Sequence, residues 1–182
     1  MSDVLFLDCW SVLNHMGWYD FTWEAIIARY PHWDSAVIAA RFPTKHHLIK
    51  TFLCTIPPAS GHFCSPQEGM FDSVMMRLDA LWPFRAVIGP GSLDMPLDIA
   101  PSMIGLTAQW FYDYWKTAKP EYTLTNGMPC HVGALSSCAL YAGIFPYAMT
   151  HGYNETLARL DSWCHHLIAW IEKQVLGPDF LR

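Results

Sequence analysis

The stretch SPQEGMFDSVMMRLDALW, residues 65–82, decides the fold class of this chain. Ser65 is a good N-cap residue, Pro66 suits the first helical position, and Glu68 completes a capping box. Beyond Glu68 the apolar residues recur at helical spacing, at Met70, Phe71, Val74, Met75, Leu78, Leu81 and Trp82. Because Pro83 cannot continue the pattern, the stretch predicts an amphipathic helix over residues 66–82.

Three further segments carry the same periodicity. Asn154 and Gly177 stand where an N-cap and a C-cap would bracket a helix. Another predicted helix begins near Pro129 and crosses a stretch without Asp, Glu, Lys or Arg, where Pro146 should end or kink it. The additional predicted helices span residues 102–118, about 130–145, and 155–176. With 66–82 they should form the main core, and the charge-free helix should be central because it is apolar all round.

The first sixty residues predict several short helices. Asp34 and Thr44 are candidate N-caps for two of them, while residues 3–16 fit either a helix or a strand. Strand signals are scarce. Residues 86–88 could form one short strand in a connector over 83–101, and 123–125 resemble half a hairpin that Pro129 argues against.

These patterns predict an all-α fold. We expect a single-domain bundle of about seven to eight helices over residues 1–182, with a central apolar helix near 130–145. Residues 1–60 should form a subregion of short helices, and residues 61–182 should form the main bundle.

The composition limits the classes of function. Apolar residues make up 52% of the chain and charged residues only 15%, against about 25% in ordinary domains. This excludes a disordered chain and suggests a large core, an apolar pocket or a surface that meets a partner. The net charge of −5 argues against nucleic-acid binding, although Lys45, His46, His47 and Lys50 on one short predicted helix could meet phosphates.

Location is predicted from two observations. Asp3 and Asp8 stand where a secretory signal peptide would carry Lys or Arg, so we expect no signal and a cytoplasmic protein. The apolar run from Val132 to Met149 is near the lower length limit for a membrane span, but Gly, Ser, Pro and Tyr interrupt it. We therefore expect a buried core helix and no membrane span.

Cys130 is the candidate nucleophile if the chain is an enzyme. It should lie in the first turn of the charge-free helix, where the helix N-terminus favours a thiolate and lowers its pKa. His151 and His165 lie downstream and could supply the general base. The alternative for Cys130, which we prefer, is a buried structural cysteine.

Metal binding is the third hypothesis, because nine histidines and six cysteines supply ligands. None of their local groupings has the spacing of structural zinc sites, and no H-E-x-x-H motif occurs. We assign no metal ligands and expect no cofactor.

The leading hypothesis is a non-catalytic binding or interaction protein. Nine Trp, eight Tyr and ten Phe favour an aromatic-rich apolar surface or pocket for a protein partner, a second copy of the chain or a small apolar ligand. Trp110, Trp115 and Trp163 are the candidate binding residues. The alternatives are a thiol-dependent hydrolase or transferase that uses Cys130, and a protein that binds metal through His and Cys.

Overall fold

A computed structural model describes residues 4–58, 62–120, 130–171 and 173, and within them the all-α prediction is confirmed. The helices are α1 (Val4–Met16), α2 (Trp23–Arg29), α3 (Ser35–Arg41), α4 (Lys45–Thr55), α5 (Pro66–Leu81), α6 (Arg85–Leu93), α7 (Ala100–Thr117), α8 (Cys130–Thr150) and α9 (Tyr153–Ile171). A 3₁₀ turn, Trp82–Phe84, follows α5, and two short strands are β1 (His62–Phe63) and β2 (Lys119–Pro120). The predicted half-hairpin at 123–125 lies outside the described residues.

Local capping explains where several helices begin. The Asp34 carboxylate accepts a hydrogen bond from the Ala36 amide at 2.6 Å, which confirms Asp34 as the N-cap of α3. Thr44 is the N-cap residue of α4, although its hydroxyl bonds the Nδ1 atom of His47 at 3.0 Å instead of a backbone amide. Ser65 Oγ accepts from the Glu68 amide at 3.2 Å, as the sequence predicted.

The predicted connector over 83–101 is wrong in one part, because residues 86–88 form helix α6 and not a strand. Val87, Ile88 and Gly91 are buried on its inner face. A Cβ at Gly91 would overlap the Cδ1 atom of Ile49, so the bare glycine lets α6 pack closely on α4. Tertiary packing therefore stabilises a helix that contains Pro90.

Helix α8 continues to Thr150, so a helix end at Pro146 is wrong, and a kink at Pro146, the other predicted outcome, stays a prediction. Ile144 and Ala148 lie two residues before and two residues after the proline, and both are fully buried. Their packing stabilises the helical turns on both sides of Pro146. Pro146 itself is exposed, and a proline within a helix loses one backbone hydrogen bond and clashes with the carbonyl group four residues earlier, at a cost of about 3 kcal/mol. The packing on both sides outweighs that loss.

The chain divides into two compact units. The first contains the described residues up to Ile56 together with Leu81–Met103, and the second contains Pro57–Ala80 and the described residues from Ile104 onward. The predicted single domain over 1–182 stays a prediction. The units differ from the expected subregions in that residues 81–103 group with the N-terminal helices.

The second unit is built on the four long helices that the sequence predicted. Helices α8 and α9, joined at His151 and Gly152, pack as neighbours, and Gly143 of α8 lies against Trp163 of α9. Gly133 of α8 lies against Trp115 of α7. Strands β1 and β2 pair in parallel, with His62 opposite Lys119.

Candidate functional site

Cys130 begins α8, as predicted, but its surroundings do not activate the thiol. Its Sγ atom is half-buried and lies 3.8 Å from the carbonyl oxygen of Tyr112. Desolvation by burial raises the pKa of Cys130, although the nearby Lys116 cation opposes this rise. The direction is opposite to the lowering that the helix N-terminus predicted.

Neither candidate base comes close to Cys130. His151 follows the last turn of α8, so it lies about 30 Å from the Cys130 end of that helix. Its imidazole stacks on Tyr147, with ring centroids 3.7 Å apart. His165 is exposed on α9. Because Trp163 lies beside Gly143, the antiparallel register places His165 about 16 Å along the bundle from Cys130.

Two of the three candidate binding tryptophans are core residues. Trp110 and Trp115 are 6% and 5% exposed. Trp115 Nε1 donates to Ser137 Oγ at 3.0 Å, which connects α7 to α8. Trp163 is half-buried, and the Arg159 guanidinium lies 5.4 Å from its ring centroid. The structure does not bring the three indoles to one exposed surface.

The scattered histidines and cysteines do not converge in the described part of the chain. Within it, no three His, Cys, Asp or Glu residues are grouped closely enough to hold a metal ion. The local pairs that the sequence suggested therefore stay separate there.

A buried polar cluster occupies the centre of the second unit. Arg77 is only 1% exposed, its guanidinium lies 5.2 Å from the Trp110 ring centroid, and it hydrogen-bonds the hydroxyl of Tyr141. Ser73 Oγ donates to Ser137 Oγ at 2.9 Å. Burial raises the pKa of Tyr114 to about 12, so this phenol stays protonated at neutral pH. The cluster connects α5 to α7 through Arg77 and Trp110, and α5 to α8 through Ser73 and Ser137.

The strongest site candidate is a cavity in the first unit. It is half open to solvent, has a volume of about 350 Å³ and is lined by Arg41, His47, Lys50, Thr51 and Cys54. Four of these residues lie on α4 at spacings of three, four and seven, which places them on one helical face. The opposite face of α4 is buried through Leu48, Ile49, Phe52 and Leu53. Arg41 comes from the last turn of α3.

Of the described residues that line the cavity, Arg41, His47 and Lys50 are basic and none is an Asp or Glu. No Asp or Glu occurs between Asp34 and Glu68, although the whole chain carries a net charge of −5. No ion pair of Lys50 is found within the described residues, and an ion pair elsewhere in the first unit joins His32 to Asp8 at 3.9 Å. The described side chains that line the cavity thus include cations, on a chain whose net charge is negative.

Hydrogen bonds hold two of the lining side chains in place. The Nδ1 atom of His47 bonds the Thr44 hydroxyl at 3.0 Å, which leaves its Nε2 atom for another partner. The Thr51 hydroxyl donates to the His47 carbonyl oxygen at 2.9 Å and keeps its lone pairs as acceptors.

The sequence identified only part of this cavity. Of the basic residues singled out on the short helix, His47 and Lys50 line it. Lys45 instead donates to the carbonyl oxygen of Trp18 at 2.6 Å, and His46 is buried. Arg41 and Cys54 were not singled out, although the acid-free stretch and the 47/50/51/54 spacing were signals that could have found them.

Comparisons with known proteins assign no family. No family profile, curated protein or solved structure matches this chain.

Proposed function

We propose that this protein is a non-catalytic binding protein that holds a small anionic ligand in the cavity between α3 and α4. The observation that carries the proposal is the set of described residues that line the cavity, which includes Arg41, His47 and Lys50 and no Asp or Glu. Arg and Lys recognise carboxylate and phosphate groups through charge-assisted hydrogen bonds. A volume of about 350 Å³ lies at the small end of ligand pockets, which suits a small organic acid or phosphate ester.

The geometry supports binding better than catalysis. Cys54 and His47 are seven residues apart on α4, which separates their backbones by about 10 Å along the helix axis. A nucleophile and its base need hydrogen-bond contact, at about 3 Å. The cavity therefore offers cations and hydrogen-bond donors to an anion without a nucleophile–base pair.

Titration with inorganic phosphate and with citrate, at constant ionic strength, tests this proposal. Isothermal calorimetry should show saturable binding of at least one of these probes to the wild type. Lys50→Ala should weaken binding about tenfold, because it removes one charge-assisted contact. Lys116→Ala, which removes an exposed lysine from α7, is the matched control and should bind as the wild type does. Equal affinities in both variants, or no saturable binding at all, would overturn the proposal.

A second candidate function, self-association, is favoured by the exposed face of α8. Leu135 is 66% exposed, and Ala139, Ala142 and Pro146 are exposed on the same side of a helix that has no charged residue. Small side chains let two helices approach closely, so the occupant we propose is the same face of a second copy. Among the described helices, α8 alone is long and apolar enough to cross a membrane, a property it shares with core helices of soluble proteins.

Light scattering coupled to size-exclusion chromatography tests the α8 proposal. The wild type should show a dimer whose population rises with concentration, and Leu135→Glu should shift it to monomer. Ile104→Glu is the matched control, because Ile104 is 64% exposed on α7. A wild-type monomer at all concentrations, or equal effects of the two variants, would exclude α8 as the interface.

A further inference from the structure

We propose that Trp18, Lys45, His46 and Asp94 form a pH-sensitive latch, which opens when the buried His46 imidazole takes up a proton at mildly acidic pH. The latch joins three segments of the first unit, namely the turn after α1, the first turn of α4 and the C-cap of α6. Its opening releases the end of α6 from α4 while the rest of the unit stays folded. The inference does not depend on anion binding in the cavity.

Trp18 connects the three segments. Its side chain is 3% exposed, and its Nε1 atom donates to Asp94 Oδ2 at 3.2 Å. Lys45 Nζ donates to the Trp18 carbonyl oxygen at 2.6 Å and lies 4.7 Å from the centroid of the indole ring. A Cβ at Gly91 would lie 2.9 Å from Trp18 Cζ3, so α6 packs directly on this indole. Trp18 therefore holds the end of α6 to the first turn of α4.

His46 packs against the same indole and is the group in the latch that changes charge near neutral pH. It is 9% exposed, and its ring meets the Trp18 ring edge-on with centroids 4.9 Å apart. The Nε2 atom of His46 is buried and has no hydrogen-bond partner among the described residues. A protonated imidazole carries a hydrogen on both nitrogens, so protonation makes Nε2 a buried donor without an acceptor.

The charged groups around His46 do not offset this cost. Burial is the largest influence on the pKa of His46 and lowers it below 6.5, while a hydrogen bond to the Asp94 backbone and the Asp94 carboxylate act in the opposite direction. Lys45 and His47, on α4 itself, act in the same direction as burial. The turn after α1 contributes the uncharged Trp18, whose indole already binds the Asp94 carboxylate. The closed latch therefore disfavours the proton.

This difference in proton affinity makes acid open the latch. In the open form His46 is in water and regains its ordinary pKa of 6.5, whereas the closed form binds the proton only at lower pH. As the pH drops below 6.5, the equilibrium constant for opening should rise by up to about tenfold per pH unit, until the closed form also binds the proton. Above that pH the latch stays closed.

Hydrogen–deuterium exchange followed by mass spectrometry tests the latch between pH 7.5 and pH 5.0. The Asp94 amide donates to the Pro90 carbonyl oxygen at 3.1 Å, so peptides over residues 85–94 report on the end of α6. After correction for the intrinsic exchange rate at each pH, these amides should be less protected than the slowest amides of the first unit. Their protection should fall by up to about tenfold per pH unit below 6.5, with unchanged circular dichroism at 222 nm.

Three variants separate the charge of His46 from a purely structural effect. His46→Gln keeps a polar side chain that cannot take up a proton, so the fall in protection should disappear whatever the stability of the variant. Asp94→Asn keeps an acceptor for the Trp18 indole and removes the charge that favours the imidazolium, so the fall should continue to lower pH than in the wild type. His15→Gln, which changes an exposed histidine of α1, is the matched control and should respond as the wild type does.

Three results would overturn the inference. The first is protection over residues 85–94 equal to that of the slowest amides of the first unit, because His46 would then become exposed only when the whole unit unfolds. The second is a fall in protection that persists in His46→Gln. The third is a pH response in Asp94→Asn that ends at higher pH than in the wild type.

Discussion

Substitution of Gly133 by alanine should destabilise the protein, although glycine to alanine in a helix normally stabilises by about 1 kcal/mol. A Cβ at Gly133 would lie 2.5 Å from the Cδ2 and Cε3 atoms of Trp115. The indole cannot easily move away, because its Nε1 atom donates to Ser137 and its ring packs edge-on against Phe63, with centroids 4.9 Å apart.

The size of the effect follows from these contacts. Overpacking of a core costs about 1–3 kcal/mol, and distortion of the Trp115–Ser137 hydrogen bond adds about 1 kcal/mol. After the helix-propensity gain of about 1 kcal/mol is subtracted, the free energy of unfolding should fall by about 2 kcal/mol. For a chain of 182 residues this lowers the melting temperature by about 4–8 °C.

Thermal unfolding followed by circular dichroism at 222 nm measures this change. Gly105→Ala on α7 is the matched control, since a Cβ there would have no heavy atom within 4 Å. It should raise the melting temperature by about 2–3 °C, because only the helix propensity changes. If Gly133→Ala were as stable as Gly105→Ala, the close packing of α8 on Trp115 would be wrong.

The buried polar cluster and the buried histidine carry the remaining predictions. Tyr114→Phe should leave the free energy of unfolding unchanged or raise it by up to about 1 kcal/mol, since the buried Tyr114 hydroxyl has no hydrogen-bond partner among the described residues. Tyr141→Phe should lower the free energy of unfolding, because it loses the hydrogen bond to Arg77. Urea unfolding measures both changes. Arg77→Ala should lower the free energy of unfolding by about 3 kcal/mol or more in the same assay. Arg77→Met refills most of the volume and should lower it less. Equal losses for the two variants would argue against a packing role for Arg77. Desolvation lowers the pKa of His46 in the folded protein below 6.5. As the pH drops, the unfolded chain therefore binds a proton at His46 before the folded protein does. The free energy of unfolding should consequently fall as the pH drops below about 6.5. His46→Gln should remove that component from urea midpoints measured between pH 7.5 and pH 5.5, and an unchanged slope would contradict the assignment.

The long helices could be predicted because each depends on local rules. The capping residues Ser65 and Asp34 and the apolar stripes specify where α5, α3 and α9 lie without reference to the rest of the chain. The two errors both involve proline, at Pro90 and Pro146. In each case buried neighbours stabilise a helix that local propensity disfavours, and sequence spacing alone does not show which side chains are buried.

The candidate site was harder to predict than the helices. Chemical type alone indicates Cys130 as a nucleophile and the three tryptophans as binding residues. Their tertiary surroundings place Cys130 far from both imidazoles and place Trp110 and Trp115 in the core. Cys54 and Arg41 belong to different helices and line one cavity, which their separation of 13 residues in the sequence does not show.

The amino-acid sequence by itself determined the helical class, the approximate positions of the long helices and the acid-free stretch between Asp34 and Glu68, since these depend on neighbours within a few residues. Tertiary structure alone decided which thiol is exposed, which tryptophans are buried and which cations share a cavity. The reason is physical: burial and charge proximity are set by contacts between residues distant in the chain, and local spacing does not encode those contacts.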